Sequence, residues 1–131
     1  MDGDTLLALE LPADATAPRA ARRAIAPVVA EIGADTACIV LAVSEAVTNA
    51  VTHGYRGRPA GSVRVRAARR EAELVVTVED DGEGMPPQER TQNGFGLPTI
   101  EKLADEVAID SERGGTRVVM RFPAQAVPSR H

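Results

Sequence analysis

The sequence predicts an α+β fold, a two-layer sandwich in which a mixed, mostly antiparallel sheet carries its helices on one face. The first sign is the order of periodic segments: strand, helix, helix, two strands, loop, helix, two strands. The second is that the later strands come in pairs joined by short turns. The third is composition: apolar residues make up 44% of the 131 residues, but only Tyr55, Phe95 and Phe122 are aromatic. The core must therefore come from Val, Ala, Leu and Ile, which suits helices packed on a sheet. A chain of this length is one domain and buries roughly two thirds of its unfolded surface. Pro123 to His131 mixes Pro, Gln, Ser and Arg without periodicity. Residues 1–123 are expected to form a single domain and 124–131 a frayed tail.

Each element has a local reason. Thr5 to Leu11 alternates only partly, yet Gly3 and Pro12 bound it as a strand. Ala15 to Ile32 reads as a helix closed by Gly33, with Pro27 expected to end or kink it because proline has no N–H for the carbonyl of Arg23. Asp35 is placed as the N-cap of a helix from Thr36 to His53, which Gly54 ends. From Gly61 the period becomes two, with Val63, Val65 and Ala67 on one side and Arg64 and Arg66 on the other. Leu74 to Val78 is a second strand. Asp80 to Asn93, rich in Gly, Pro and charge, is expected to be a loop. Leu97 to Leu103 is helical, with Pro98 in the first turn, and Glu106 to Asp110 and Thr116 to Phe122 are strands joined at Gly114-Gly115.

Charge and cysteine content exclude several functions. The formal net charge is −4, so direct nucleic-acid binding is not expected despite the basic Arg22, Arg23, Arg64, Arg66, Arg69 and Arg70. The first residues are acidic and no apolar run approaches the length of a membrane span, so neither a signal peptide nor a membrane partner is expected and a cytoplasmic location is. Cys38 is the only cysteine, which rules out an internal disulfide and reads as a small core residue.

Four signals carry chemistry. In the second helix Leu41, Glu45, Asn49 and His53 stand four apart in one stripe, while Val40, Val43, Val47 and Val51 lie elsewhere on the cylinder. A solvated helix face has the same spacing. The helix is apolar on most other sides, however, so its carboxylate and amide are expected to line a cavity. Asp80-Asp81-Gly82-Glu83-Gly84 follows directly on an apolar strand, where a carboxylate can accept from an amine and glycines let a ligand approach the backbone. The bland reading is a tight acidic turn. Gly94-Phe95-Gly96-Leu97 opens a helix, whose free N–H groups favour phosphate. Gly115-Thr116 heads the last strand. Alone it carries almost no information.

Together and in this order the four resemble the ATP-binding domain, known as the Bergerat fold, shared by gyrase, ninety-kilodalton heat-shock chaperones, histidine kinases and mismatch-repair ATPases. The resemblance spans about Ala34 to Arg121. Within that superfamily Ser44-Glu45-Ala46-Val47-Thr48-Asn49-Ala50-Val51-Thr52-His53-Gly54-Tyr55 is most similar to the stand-alone anti-sigma factor serine kinases of bacterial sporulation and stress responses.

The resemblance implies ATP and Mg²⁺ as cofactors. Asn49 would hold Mg²⁺ through its amide oxygen and Glu45 would be the general base on an attacking hydroxyl. Asp80 would accept from the adenine amine, Gly82 and Gly84 would make room for the base, and Thr116 would support that contact. Gly94, Gly96 and the N–H of Leu97 would cradle phosphates. His53 is kept as a structural residue of the helix end. The implied partners are a sigma factor and a serine-bearing antagonist protein, with a homodimer as a further expectation. The resemblance has two departures: only Met85 to Asn93 separates the glycine boxes, a short lid, and Phe95 stands where relatives often have a polar or basic residue. These leave a non-enzymatic, ATP-dependent binding module as the competing function. A sensor histidine kinase would need a phosphoacceptor His on a dimerising helix, and gyrase-like or chaperone-like ATPases a further domain. Both are disfavoured.

Overall fold

The structure is a computed structural model that describes residues 4–53, 61–81, 100, 102–110 and 115–124. Among these, the order is β1 (Asp4–Pro12), α1 (Ala17–Glu31), α2 (Thr36–His53), β2 (Ser62–Arg70), β3 (Glu73–Asp80), β4 (Glu106–Asp110) and β5 (Thr116–Pro123). The strands form one five-stranded sheet in the order β1-β2-β3-β5-β4. Every pairing among the described strands is antiparallel, so the sheet is more uniform than the expected mixed one. Both helices pack on one side of it, α1 over β1 and β2 and α2 over β2, β3 and β5.

The partial alternation of β1 has a local cause. The pairing of β1 with β2 shifts register between Thr5 and Leu7. With one extra residue in the strand, the consecutive leucines Leu6 and Leu7 both pack against the core, followed by Leu9 and Leu11 at the regular period.

In α1 the residues Ala17, Ala21, Ile25 and Val29 recur every fourth position and are fully buried. This stripe carries the helix through Pro27, where the sequence predicts an end or a kink. Proline in a helix interior costs about 3 kcal/mol relative to alanine. Burying Ile25 and Val29 on either side returns roughly 1.5–3 kcal/mol each, which outweighs that cost. Thr16 sits at the N-cap, so the helix begins later than Ala15, and Pro18 occupies the first turn, where its missing N–H is harmless. At the other end Gly33 adopts φ 72°, and the amides of Gly33 and Ala34 donate to the carbonyls of Ala30 and Val29. That is a Schellman closure, and it needs glycine at its left-handed position.

In α2 the Asp35 carboxylate accepts from the Cys38 amide at 3.1 Å, satisfying one of the free N–H groups of the first turn. Ile39, Ala42, Val43, Ala46, Val47 and Ala50 of α2 are buried against Val63, Val65, Ala67, Leu74, Val76, Val78, Val118, Met120 and Phe122 of the sheet. Ile100 completes the core, and the Ala104 amide donates to its carbonyl in a helical turn at the end of the helix expected over Leu97 to Leu103. Phe122 is the one aromatic among the described core residues. Cys38 is half-buried, and its thiol, pushed up by burial, donates to the Leu103 carbonyl at 3.2 Å. It ties the start of α2 to that turn.

Asp80, expected in a loop, is the last residue of β3. Ala124 is buried and its amide donates to the Ala72 carbonyl. Among the described residues no helix is long and apolar enough to cross a membrane.

Replacing Pro27, which is exposed, with alanine restores a helical N–H while leaving Ile25 and Val29 in place. Pro27→Ala should raise the midpoint of thermal unfolding, by up to about 3 kcal/mol of stability, in a melt followed by circular dichroism. A lowered midpoint would mean that α1 depends on the proline.

Candidate functional site

Period-two alternation along β3 buries Leu74, Val76 and Val78 on the helix side and turns Val75, Thr77 and Glu79 outward. Asp80 falls in the buried row. Along β5 the same alternation buries Thr116, Val118, Met120 and Phe122. Asp80 and Thr116 are directly opposite each other across the β3–β5 ladder. They are also the two buried polar side chains among the described residues, 5% and 8% exposed. A carboxylate and a hydroxyl thus stand where two more core residues would continue the rows. Burying such groups is costly without a hydrogen-bonding purpose.

Backbone geometry tightens this corner. A Cβ built on Gly115 would collide with the carbonyl oxygen of Asp80 and lie 3.2 Å from its carbonyl carbon. Only a residue without a side chain lets β5 begin so close to the end of β3. The sequence marks Gly115 as part of a weak Gly-Thr signal; its close contact with the Asp80 backbone is a tertiary fact.

On the outer side of the sheet, Asp81 is gripped by Arg64 of β2, whose two terminal nitrogens donate to the two carboxylate oxygens at 3.1 and 3.0 Å. The guanidinium holds the Asp81 carboxyl below the usual carboxylate range, and the pairing raises Arg64 in turn. Arg64 also lies 3.6 Å from Glu79, which accepts from Arg117 of β5 at 3.0 Å. Exposed pairs of this kind stabilise by at most about 1 kcal/mol each. Their larger effect is positional: with Glu79 and Asp81 held outward, the residue between them points inward. The forked Arg64–Asp81 contact was not singled out from sequence, because residues 17 apart reveal no pairing until the strands are registered.

At this end of the sheet is a cleft of about 590 Å³, lined among the described residues by Asp80, Asp81, Asp110, Gly115 and Thr116 together with charged side chains of the outer face. Its size is within the range of small-molecule sites, about 300–1,000 Å³. Glu45 and Asn49 are half-buried on α2, the helix that packs over β3 and β5, but neither is among the described residues that line this cleft. Gly82, Gly84, Gly94, Gly96 and Leu97 lie outside the described residues, as do Met85 to Asn93 and the His53 side chain. No group of three His, Cys, Asp or Glu side chains that could hold a metal ion occurs among the described residues.

Residues 11–122 match the model of the histidine kinase-like ATPase domain. The chain belongs to that family. The curated relatives include anti-sigma F factors. That of Clostridium novyi is 33% identical over 90 residues, covering 57% of this chain and 62% of the relative. That of Clostridium beijerinckii is 31% identical over 82 residues, covering 53% and 57%. The matched region therefore spans about three fifths of the length of these relatives. Among solved structures, the RsbU and RsbW domains of Rv1364c from Mycobacterium tuberculosis align with 95% of this chain and 34% of theirs, at 32% identity and a TM-score of 0.72. The catalytic domain of histidine kinase ThkA aligns with 91% of this chain and 97% of its own, at 13% identity and a TM-score of 0.61, which is a likeness of fold.

A methyl group at Gly115 must push β5 away from the Asp80 carbonyl or distort the strand end. Gly115→Ala should therefore cost about 1–3 kcal/mol in urea unfolding. An unchanged midpoint would mean that the two strands separate there freely.

Proposed function

We propose that this chain is a Mg²⁺-ATP-binding anti-sigma factor and serine protein kinase, which sequesters a sigma factor and phosphorylates a serine of an antagonist protein. Family membership implies ATP as the ligand. The observation that carries the reading is the buried pair Asp80 and Thr116 at the closely packed ends of β3 and β5. The anti-sigma F factors among its relatives support a sigma factor as partner.

In this reading the Asp80 carboxylate accepts from the exocyclic amine of adenine and the Thr116 hydroxyl supports that contact, with Gly82 and Gly84 making room for the base. Backbone N–H groups of the Gly94-Phe95-Gly96-Leu97 segment would cradle the phosphates. Asn49 would hold Mg²⁺ through its amide oxygen. An amide oxygen is a hard neutral ligand of the kind Mg²⁺ takes. The ion would neutralise charge on the transferred phosphoryl group. Glu45, one turn before Asn49, takes the proton from the serine hydroxyl as it attacks. In α2 it is the one carboxylate, and it is half-buried on the same stripe. The short interval between the glycine boxes supports a second reading, in which ATP gates partner binding without phosphotransfer.

Two substitutions test this. Asp80→Asn would present the adenine amine with a weaker acceptor or a donor, at a cost of about 1–3 kcal/mol, or roughly one to two orders of magnitude in Kd by calorimetry with ATP. Equal affinity would remove Asp80 from adenine recognition. Glu45→Ala should slow radiolabelled phosphotransfer to the co-purified antagonist by about 10²–10⁴, with ATP affinity little changed. A parent that binds ATP but labels no protein would leave the ATP-gated binding module. A variant as fast as the parent would mean that another group is the base.

A further inference from the structure

The exposed side of α2 is unusual for a helix on a protein surface. Ala37, Leu41, Thr48 and Thr52 are its exposed residues, at spacings of four, seven and four, and they form one stripe. None is charged. Glu45 is the one Asp, Glu, Lys or Arg in all 18 residues of the helix, whereas solvated helix faces are ordinarily rich in such groups. Leu41 lies in the middle, 46% exposed, the one large apolar side chain so open among the described residues.

A lone exposed leucine needs no special reason. Here two neighbours frame it. Glu45 follows Leu41 by one turn and borders the same stripe, so a hydroxyl that reaches the Glu45 carboxylate arrives on a chain lying over this part of α2. The opposite border is occupied by Arg22 of α1, which donates to the Ser44 hydroxyl at 2.9 Å and is itself exposed. The stripe is thus an uncharged strip with a carboxylate on one side and a guanidinium on the other.

We propose that Leu41 positions the phosphoacceptor protein by receiving an apolar side chain close to its serine, with Arg22 favouring an acidic residue on the other side of the strip. The inference rests on the kinase reading above. One helical turn rises about 5–6 Å and an extended chain advances about 3.3 Å per residue. The apolar side chain is therefore about two residues from the serine. Leu41 touches the acceptor protein outside the reacting atoms, and so governs its affinity and not the transfer step.

The test uses the full chain, and its probe is the serine-bearing protein that co-purifies from the native cell and takes label from γ-labelled ATP when mixed with the parent. At saturating ATP, Leu41→Asp should raise the KM for this protein by about ten-fold or more, with kcat and ATP affinity unchanged. Leu41→Met, which restores an apolar side chain of similar volume, should return KM to within about two-fold of the parent. Because Leu41 is exposed, both variants should melt like the parent. An unchanged KM in Leu41→Asp, or a fall in kcat alone, overturns the positioning role while leaving the kinase reading intact. A change of mass by light scattering without a change of KM assigns the strip to a second copy of this chain and likewise overturns it. A parent that labels nothing fails in the kinase reading itself, a failure visible before any Leu41 variant is made, and the inference falls with it.

Discussion

The candidate site depends on a backbone contact: the start of β5 lies against the last carbonyl of β3, an approach that only glycine at position 115 permits. Because the two strands are still in register there, Asp80 and Thr116 face each other on the helix side and not across a widening gap. A buried carboxylate beside a buried hydroxyl is poor core material. On the proposed reading it is the place where the adenine amine meets an acceptor beside a hydroxyl. The strand end is thus specified by the absence of one side chain and the presence of two polar ones.

The two faces of the sheet divide the work. Inward, Val, Leu, Met and Phe side chains of β2, β3 and β5 form an apolar layer under α2. Outward, Arg64, Glu79, Arg117 and Asp81 alternate in sign across neighbouring strands, and Arg121 bridges Glu73 and Glu106 at 3.3 and 3.4 Å. These pairs add little stability singly. They do discourage register slips, since a shift by one residue would place Arg64, Glu79 and Arg117 in the core. Correct register is also what keeps Asp80 inward, so the outer charges and the inner site are two consequences of one alternation.

The helices are held by different means. In α1 a stripe of alanines, Ile25 and Val29 keeps the helix whole despite Pro27, and glycine ends it. In α2 a carboxylate cap starts a helix so apolar that its single Glu stands out. The half-buried environment of Glu45 and Asn49 follows from the bulk of α2 being pressed on β3 and β5.

Much of this was legible from sequence because it is local. The caps at Gly33 and Asp35, the limits of α2, the inward Val63, Val65 and Ala67, and the strands beginning at Glu106 and Thr116 follow from periodicity and end signals within a few residues. The family was legible because its motif residues lie in fixed order. Three features were decided only by tertiary structure. Pro27 stays inside α1 because packing on α2 and on the sheet buries Ile25 and Val29 around it. Asp80 belongs to β3, where pairing with Thr116 outweighs the loop-like composition that follows it. The contact between Gly115 and Asp80 joins positions far apart in the chain. Sequence by itself determined where most helices and strands run, because periodicity and end signals depend on near neighbours. Only the folded sheet decided which of them meet, because strand register is set by the burial of the whole apolar face at once.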